Sequence, residues 1–151
     1  MKHALIAAAL GTATMLASGT ALAQAKPETL VKQRQAAMVL IGKYWGPMGG
    51  MAQGKVPFNA DTVKRNTGYL QALSAMPWDG FNASTKDVKT RALPAVFSDT
   101  AKFKEAQDRF TGEVSKLATT VAGGDEAAIK SQLATVGKTC GGCHESFREK
   151  N

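Results

Sequence analysis

Asp125 to Arg148 reads DEAAIKSQLATVGKTCGGCHESFR, and the spacing of its apolar residues sets the fold class. Ile129, Leu133, Val136, Cys140, Cys143 and Phe147 follow one another at steps of four, three, four, three and four, the pattern of one face of an α-helix. The helix-stopping pair Gly123-Gly124 stands directly before this stretch. Both cysteines therefore lie in the apolar seam of a last helix that opens at about Asp125.

Working back along the chain, the same spacing recurs. Ser98-Asp99 is a start signal for a third helix that buries Phe103, Ala106, Phe110, Leu117 and Val121. Asn59 opens a second, with Val63, Leu70 and Leu73 inward before Pro77. The first runs from near Pro27 to about Gln53, with Val31, Arg34, Met38, Ile41, Trp45 and Met48 on one stripe; Gly46, Pro47, Gly49 and Gly50 weaken it and leave room for a kink or an early end there. Four amphipathic helices with mostly short connections predict an all-α, antiparallel four-helix bundle. The exception is the stretch from Trp78 to Phe97, too long for a simple connection and carrying Phe81 and Leu93 between its aromatic ends, which predicts packing over something large and apolar.

The first 23 residues do not belong to that bundle. Lys2 and His3 precede a small, apolar run, and Ala21-Leu22-Ala23 has the small-x-small pattern of a cleavage site, so residues 1–23 read as a signal peptide and 24–151 as one exported domain, placed in the periplasm. No later stretch approaches the ~20 apolar residues of a membrane span. With 151 residues and 44% hydrophobic content, one domain with a real core is expected. The formal charge is +7, but Lys and Arg are scattered singly among Asp and Glu, which fits a solvated surface and speaks against a nucleic-acid partner. A negatively charged redox partner stays compatible with it.

Cys140-Gly141-Gly142-Cys143-His144 matches C-x-x-C-H, in which two thiols add to the vinyl groups of a haem and the histidine binds its iron. Thiols three apart on a helix point to one side, and the small glycines between them let a porphyrin approach the backbone. The competing reading is a disulfide or a thiol-redox pair, yet such a pair usually opens a helix of an α/β domain, whereas this one sits near the close of an all-helical chain. Zinc would require more soft ligands. In this sequence seven residues follow His144, so no downstream methionine is expected to reach the iron, and His3 would leave with the leader.

At these residues the chain resembles the class II cytochromes c, and most closely the cytochrome c′ group. The resemblance rests on Lys26-Pro27-Glu28 with Lys32-Gln33-Arg34-Gln35, on Leu73-Ser74-Ala75-Met76-Pro77-Trp78 with Phe81, on Ser98-Asp99, and on Gly137 to His144 with Phe147-Arg148. It implies a four-helix homodimer with one covalent haem c per chain near the C-terminus. Pro94-Ala95-Val96-Phe97 departs from the Pro-Glu-x-Trp common in relatives. Residues expected at the cofactor are Cys140, Cys143, His144, Arg34, Gln35, Met38, Trp78, Phe81 and Arg148.

The sixth iron position decides between functions, because an open face admits a gas and a methionine there suits electron transfer. Met38 aligns with the residue that caps this face in the family, either blocking or ligating. Arg34, a charge on an apolar stripe, reads as a partner for a haem propionate, or as a stem that packs while its head reaches water. Arg148, one turn past His144, corresponds to an arginine that borders a proximal NO site in the family; as a C-terminal cation it would also favour the helix dipole. The expected function is reversible binding of NO and CO at five-coordinate iron, without catalytic turnover since no distal acid or base stands out. The alternative is a low-spin electron carrier with His144 and Met38 as axial ligands.

Overall fold

The structure, a computed structural model, describes residues 25–150. The expected signal peptide lies outside the described residues. Five helices follow in order: α1 Pro27–Ala52, α2 Ala60–Leu73, α3 Ala95–Ser98, α4 Thr100–Gly123 and α5 Glu126–Phe147. The four long ones form the bundle: α1 and α4 each pack against both α2 and α5, which closes a ring of antiparallel neighbours.

Local chemistry sets the ends of these helices. Pro27 occupies the first turn of α1, where its missing N–H has no partner to lose. The Asn59 side chain accepts from the Thr62 N–H at 2.8 Å, the cap expected there, and Asp125 caps the last helix by accepting from the Ala128 N–H at 3.0 Å; the start expected at Ser98-Asp99 is corrected, since Ser98 closes α3 and Asp99 makes no capping side-chain bond to α4. Gly124 ends α4 in the left-handed region at φ 75°, which only glycine adopts without strain.

The end expected near Gln53 holds: α1 runs through Gly46, Pro47, Gly49 and Gly50 to Ala52 without an early end. Pro47 and Lys43 are both exposed, so the Lys43 carbonyl that Pro47 leaves unpaired faces water. Beyond it Met48 and Met51 are buried, and each such side chain contributes about 1.5–3 kcal/mol, enough to offset the ~3 kcal/mol of an interior proline. The buried Asn66 adds a tie across the gap between α2 and α1, donating its amide to the Tyr44 carbonyl at 3.1 Å.

The core centres on Met48, Val63, Leu70, Val114, Leu117, Leu133 and Val136, all without exposed surface. The periodic reading omitted Val114, which continues the stripe from Phe110 to Leu117. A second, smaller cluster of Val96, Phe103 and Phe147 lies under the long connection, with Phe81, Phe97 and Cys143 packed on it. Trp78 belongs to both clusters and anchors its indole N–H on the Ser74 carbonyl at 2.8 Å. The connection itself is folded into two short 3₁₀ turns, Trp78–Gly80 and Ala83–Thr85, followed by α3.

Candidate haem-attachment site

Cys140 and Cys143 stand free and half-buried on the last turns of α5. Each faces a different part of the core. Cys140 packs against the main cluster, which Met38 and Trp45 of α1 also join; Cys143 packs against Phe103 and Phe147. Four aromatic rings surround that second site: Phe103 meets Phe81 edge-on at 4.9 Å between centroids and Phe147 at 5.1 Å, with Trp78 at 6.3 Å. On its other side Cys143, with Gly142, reaches a groove of about 660 Å³ between α4 and α5.

Burial pushes both thiols above their ordinary pKa, so they remain protonated at neutral pH. A thiol-redox pair needs the opposite, a thiolate stabilised by nearby charge or a helix N-terminus, and these cysteines sit at the end of α5 whose dipole disfavours negative charge. The site therefore suits thiols that are consumed in permanent bonds.

His144 is half-buried beside an opening of about 300 Å³ that Arg91, Arg148 and Lys150 also line. Burial lowers its pKa first, and the positive charges of Arg148 and Arg91 lower it further, leaving a neutral imidazole with a lone pair for a metal. Arg148 is not a further helical residue but the extended cap of α5: its N–H donates to the His144 carbonyl at 3.2 Å, and it forms an antiparallel bridge with Ala92. That bridge, completed by Leu93 N–H on Phe147 O at 3.0 Å and Glu149 N–H on Arg91 O at 2.8 Å, brings Arg91 to the histidine. Sequence reasoning did not single out Arg91, because no local signal marks which loop residue will pair with the chain end.

Arg34 is 3% exposed, so its head does not reach water. Its guanidinium donates to the Gly80 carbonyl, to Thr85 Oγ1 at 3.2 Å and to Thr90 Oγ1 at 3.2 Å, and its carbon lies 4.2 Å from the centre of the Phe81 ring. All of these partners are neutral, and among the described residues no carboxylate forms an ion pair with it. Burial accordingly lowers its pKa. Met38, one turn along α1, is half-buried on the inward stripe, whereas Gln35 is exposed and turned away from the core.

Haem c fits these residues on their chemistry. Two unpaired thiols three apart face apolar and aromatic surroundings, a neutral imidazole follows directly, and a buried cation lacks the anion that a propionate would supply.

Comparison with known proteins agrees. The family model described as Cytochrome C′ matches residues 29–148. The chain belongs to the cytochrome c′ family. The cytochrome c′ of Rubrivivax gelatinosus is 41% identical over 126 residues, which cover 83% of this chain and 98% of the relative. Its crystal structure superposes with a TM-score of 0.77 over 82% of this chain and 98% of that one. Cytochrome c prime from Shewanella frigidimarina gives 0.79 at 33% identity, covering 84% and 99% of the two chains. A variant of cytochrome c prime from Alcaligenes xylosoxidans, solved as its nitric oxide complex, gives 0.76 at 36% identity over 83% and 98%.

Membership of the cytochrome c′ family implies covalently bound haem c, and the two cysteines near the C-terminus are the residues available for it. Within this cytochrome c′ fold the sequence-predicted residues separate into groups. Cys143, Phe81, Trp78 and Arg34 are linked through the aromatic cluster, Cys140 and Met38 share the main core, and His144 and Arg148 meet at the small opening.

Proposed function

We propose that this protein is a periplasmic haem protein that binds NO, and CO, reversibly at five-coordinate iron. One haem would be held through Cys140 and Cys143, with His144 as the axial ligand. Bound there, the group supplies reversible gas ligation and one-electron exchange. The observation that carries the reading is the C-x-x-C-H turn itself, with protonated thiols facing aromatic rings and a neutral imidazole beside them.

The remaining residues shape that site. Arg34 offers its charge to a propionate in a place where water cannot screen it. Met38 adds apolar bulk on the inward face of α1, and NO and CO depend less than a polarised O2 adduct on hydrogen-bond donors. The nitric oxide complex of the Alcaligenes relative supports NO as the ligand. With no distal acid or base in the reading, turnover as an enzyme is not proposed. A homodimer is supported by the exposed apolar side chains of the neighbouring helices α1 and α2, Val39 at 71%, Tyr69 at 46% and Met76 at 57% just beyond α2. No helix among the described residues is long and apolar enough to cross a membrane; the periplasmic address rests on the leader read in residues 1–23.

The second reading, an electron carrier with Met38 as sixth ligand, is favoured by the inward position of that side chain. Optical and EPR spectra of the ferric protein, produced with haem-ligation machinery, separate the two. High-spin iron that takes up NO on reduction supports the proposal; low-spin iron converted to high-spin by Met38→Ala supports the alternative. A colourless product at the mass of the bare polypeptide overturns both.

A further inference from the structure

We propose that Thr85 is a positioning residue that aims the buried Arg34 guanidinium into the haem pocket, and that this pair sets the haem's reduction potential. Thr85 is 1% exposed, and its hydroxyl does two jobs. It accepts from Arg34 Nη1 at 3.2 Å, and its single proton is shared between the carbonyls of Gly80 at 3.0 Å and Asn82 at 2.9 Å. The proton closes the loop turn, which leaves the oxygen lone pair fixed toward the arginine. Gly80, whose carbonyl also takes Nη1, lies so close to α1 that a Cβ there would stand 2.8 Å from the Leu30 carbonyl. The loop therefore meets the helix backbone directly, and Thr85 has little freedom to turn away.

The geometry also says why this cation should be felt. Its carbon sits 4.2 Å above Phe81, Phe81 touches Phe103 at 4.9 Å, and Cys143 packs on the same cluster. Two aromatic rings, Phe81 and Phe103, thus lie between a charge without an ionic partner in the protein and the cluster on which the proposed haem-bearing thiol packs. In such apolar surroundings a unit charge acts several times more strongly than in water. A cation held there favours the reduced, less positive haem. A guanidinium released toward solvent would be screened, and the oxidised form would gain.

The inference rests on the haem reading of Cys140 and Cys143, and the test keeps the two apart. Wild type, Thr85→Val and Thr85→Ser are exported with haem-ligation machinery, and covalent haem is first confirmed by mass and optical spectrum; its absence from wild type defeats the haem reading. Midpoint potentials are then measured by spectroelectrochemical titration, with circular dichroism to establish equal helicity. Thr85→Val, isosteric but without the hydroxyl, is expected at a lower potential, and Thr85→Ser at the wild-type value. A folded, haem-bearing Thr85→Val protein with the wild-type potential overturns the proposal. If that variant does not accumulate, Thr85→Ala, which also lacks the hydroxyl, decides in the same way: a lower potential supports the proposal and an unchanged one overturns it.

Discussion

The indole of Trp45 on α1 fills the space that a side chain on Gly137 of α5 would need, for a Cβ added there would stand 3.1 Å from Trp45 Cζ2. The two helices approach at this point because one contributes a ring and the other nothing, one turn before Cys140. Gly137→Leu must push α5 off α1 or drive Trp45 from its place. The expected loss is about 1–3 kcal/mol, read from urea unfolding. Adding Trp45→Ala should recover part of it, which a double-mutant cycle would show.

Phe103 is the hub of the smaller cluster, meeting Phe81, Trp78 and Phe147 edge-on while 5% exposed. Phe103→Ala leaves a hole among three rings that rigid helices cannot close. Its expected cost is about 3–5 kcal/mol, with Phe103→Leu well below that, both measured on the haem-bearing protein by denaturant unfolding.

Glu113 of α4 binds Lys116 and also accepts from Gln132 of α5 at 2.7 Å. Lys116 first, and Gln132 second, hold its carboxyl below the ordinary value of 4.5. A carboxylate whose pKa is depressed on folding stabilises the fold above its unfolded pKa, and the contribution fades as acid takes the pH below 4.5 and through the folded value. Carbon-detected NMR titration should place Glu113 below the normal range. In Gln132→Ala the pKa should rise part of the way back, since Lys116 remains.

The junction of α4 and α5 is a two-residue turn, Gly124 in the left-handed region and Asp125 capping the next helix. Gly124→Ala puts a Cβ where L-residues are strained, at about 1–2 kcal/mol, and Asp125→Ala leaves a first-turn N–H without its acceptor, at about 1 kcal/mol. Thermal melts of the two variants check both figures. Neither residue lies near the cysteines, so haem content should be unchanged.

Much of the fold is legible in the chain because its determinants are short-range. Asn59, Asp125 and Gly124 act within three residues of themselves, and the apolar stripes need only the helical repeat to line up. Pro47 left the end of α1 open in the sequence, since its local preference for a break is overruled by Met48 and Met51, whose burial depends on helices far away in sequence. Phe81 and Trp78 could be suspected as packing groups, but the contacts between Phe81, Phe103 and Phe147 required three segments to converge.

By itself the sequence determined four helices, the Asn59 cap and a C-x-x-C-H turn facing the core, since spacing and capping are properties of neighbouring residues. Only the tertiary structure decided that Arg34 is clamped by Gly80, Thr85 and Thr90, partners 46, 51 and 56 residues away, and that Arg91 stands beside His144. Hydrogen bonds over such distances depend on the path of the connection from Trp78 to Phe97. Long-range packing sets that path, and no repeating pattern in the chain encodes it.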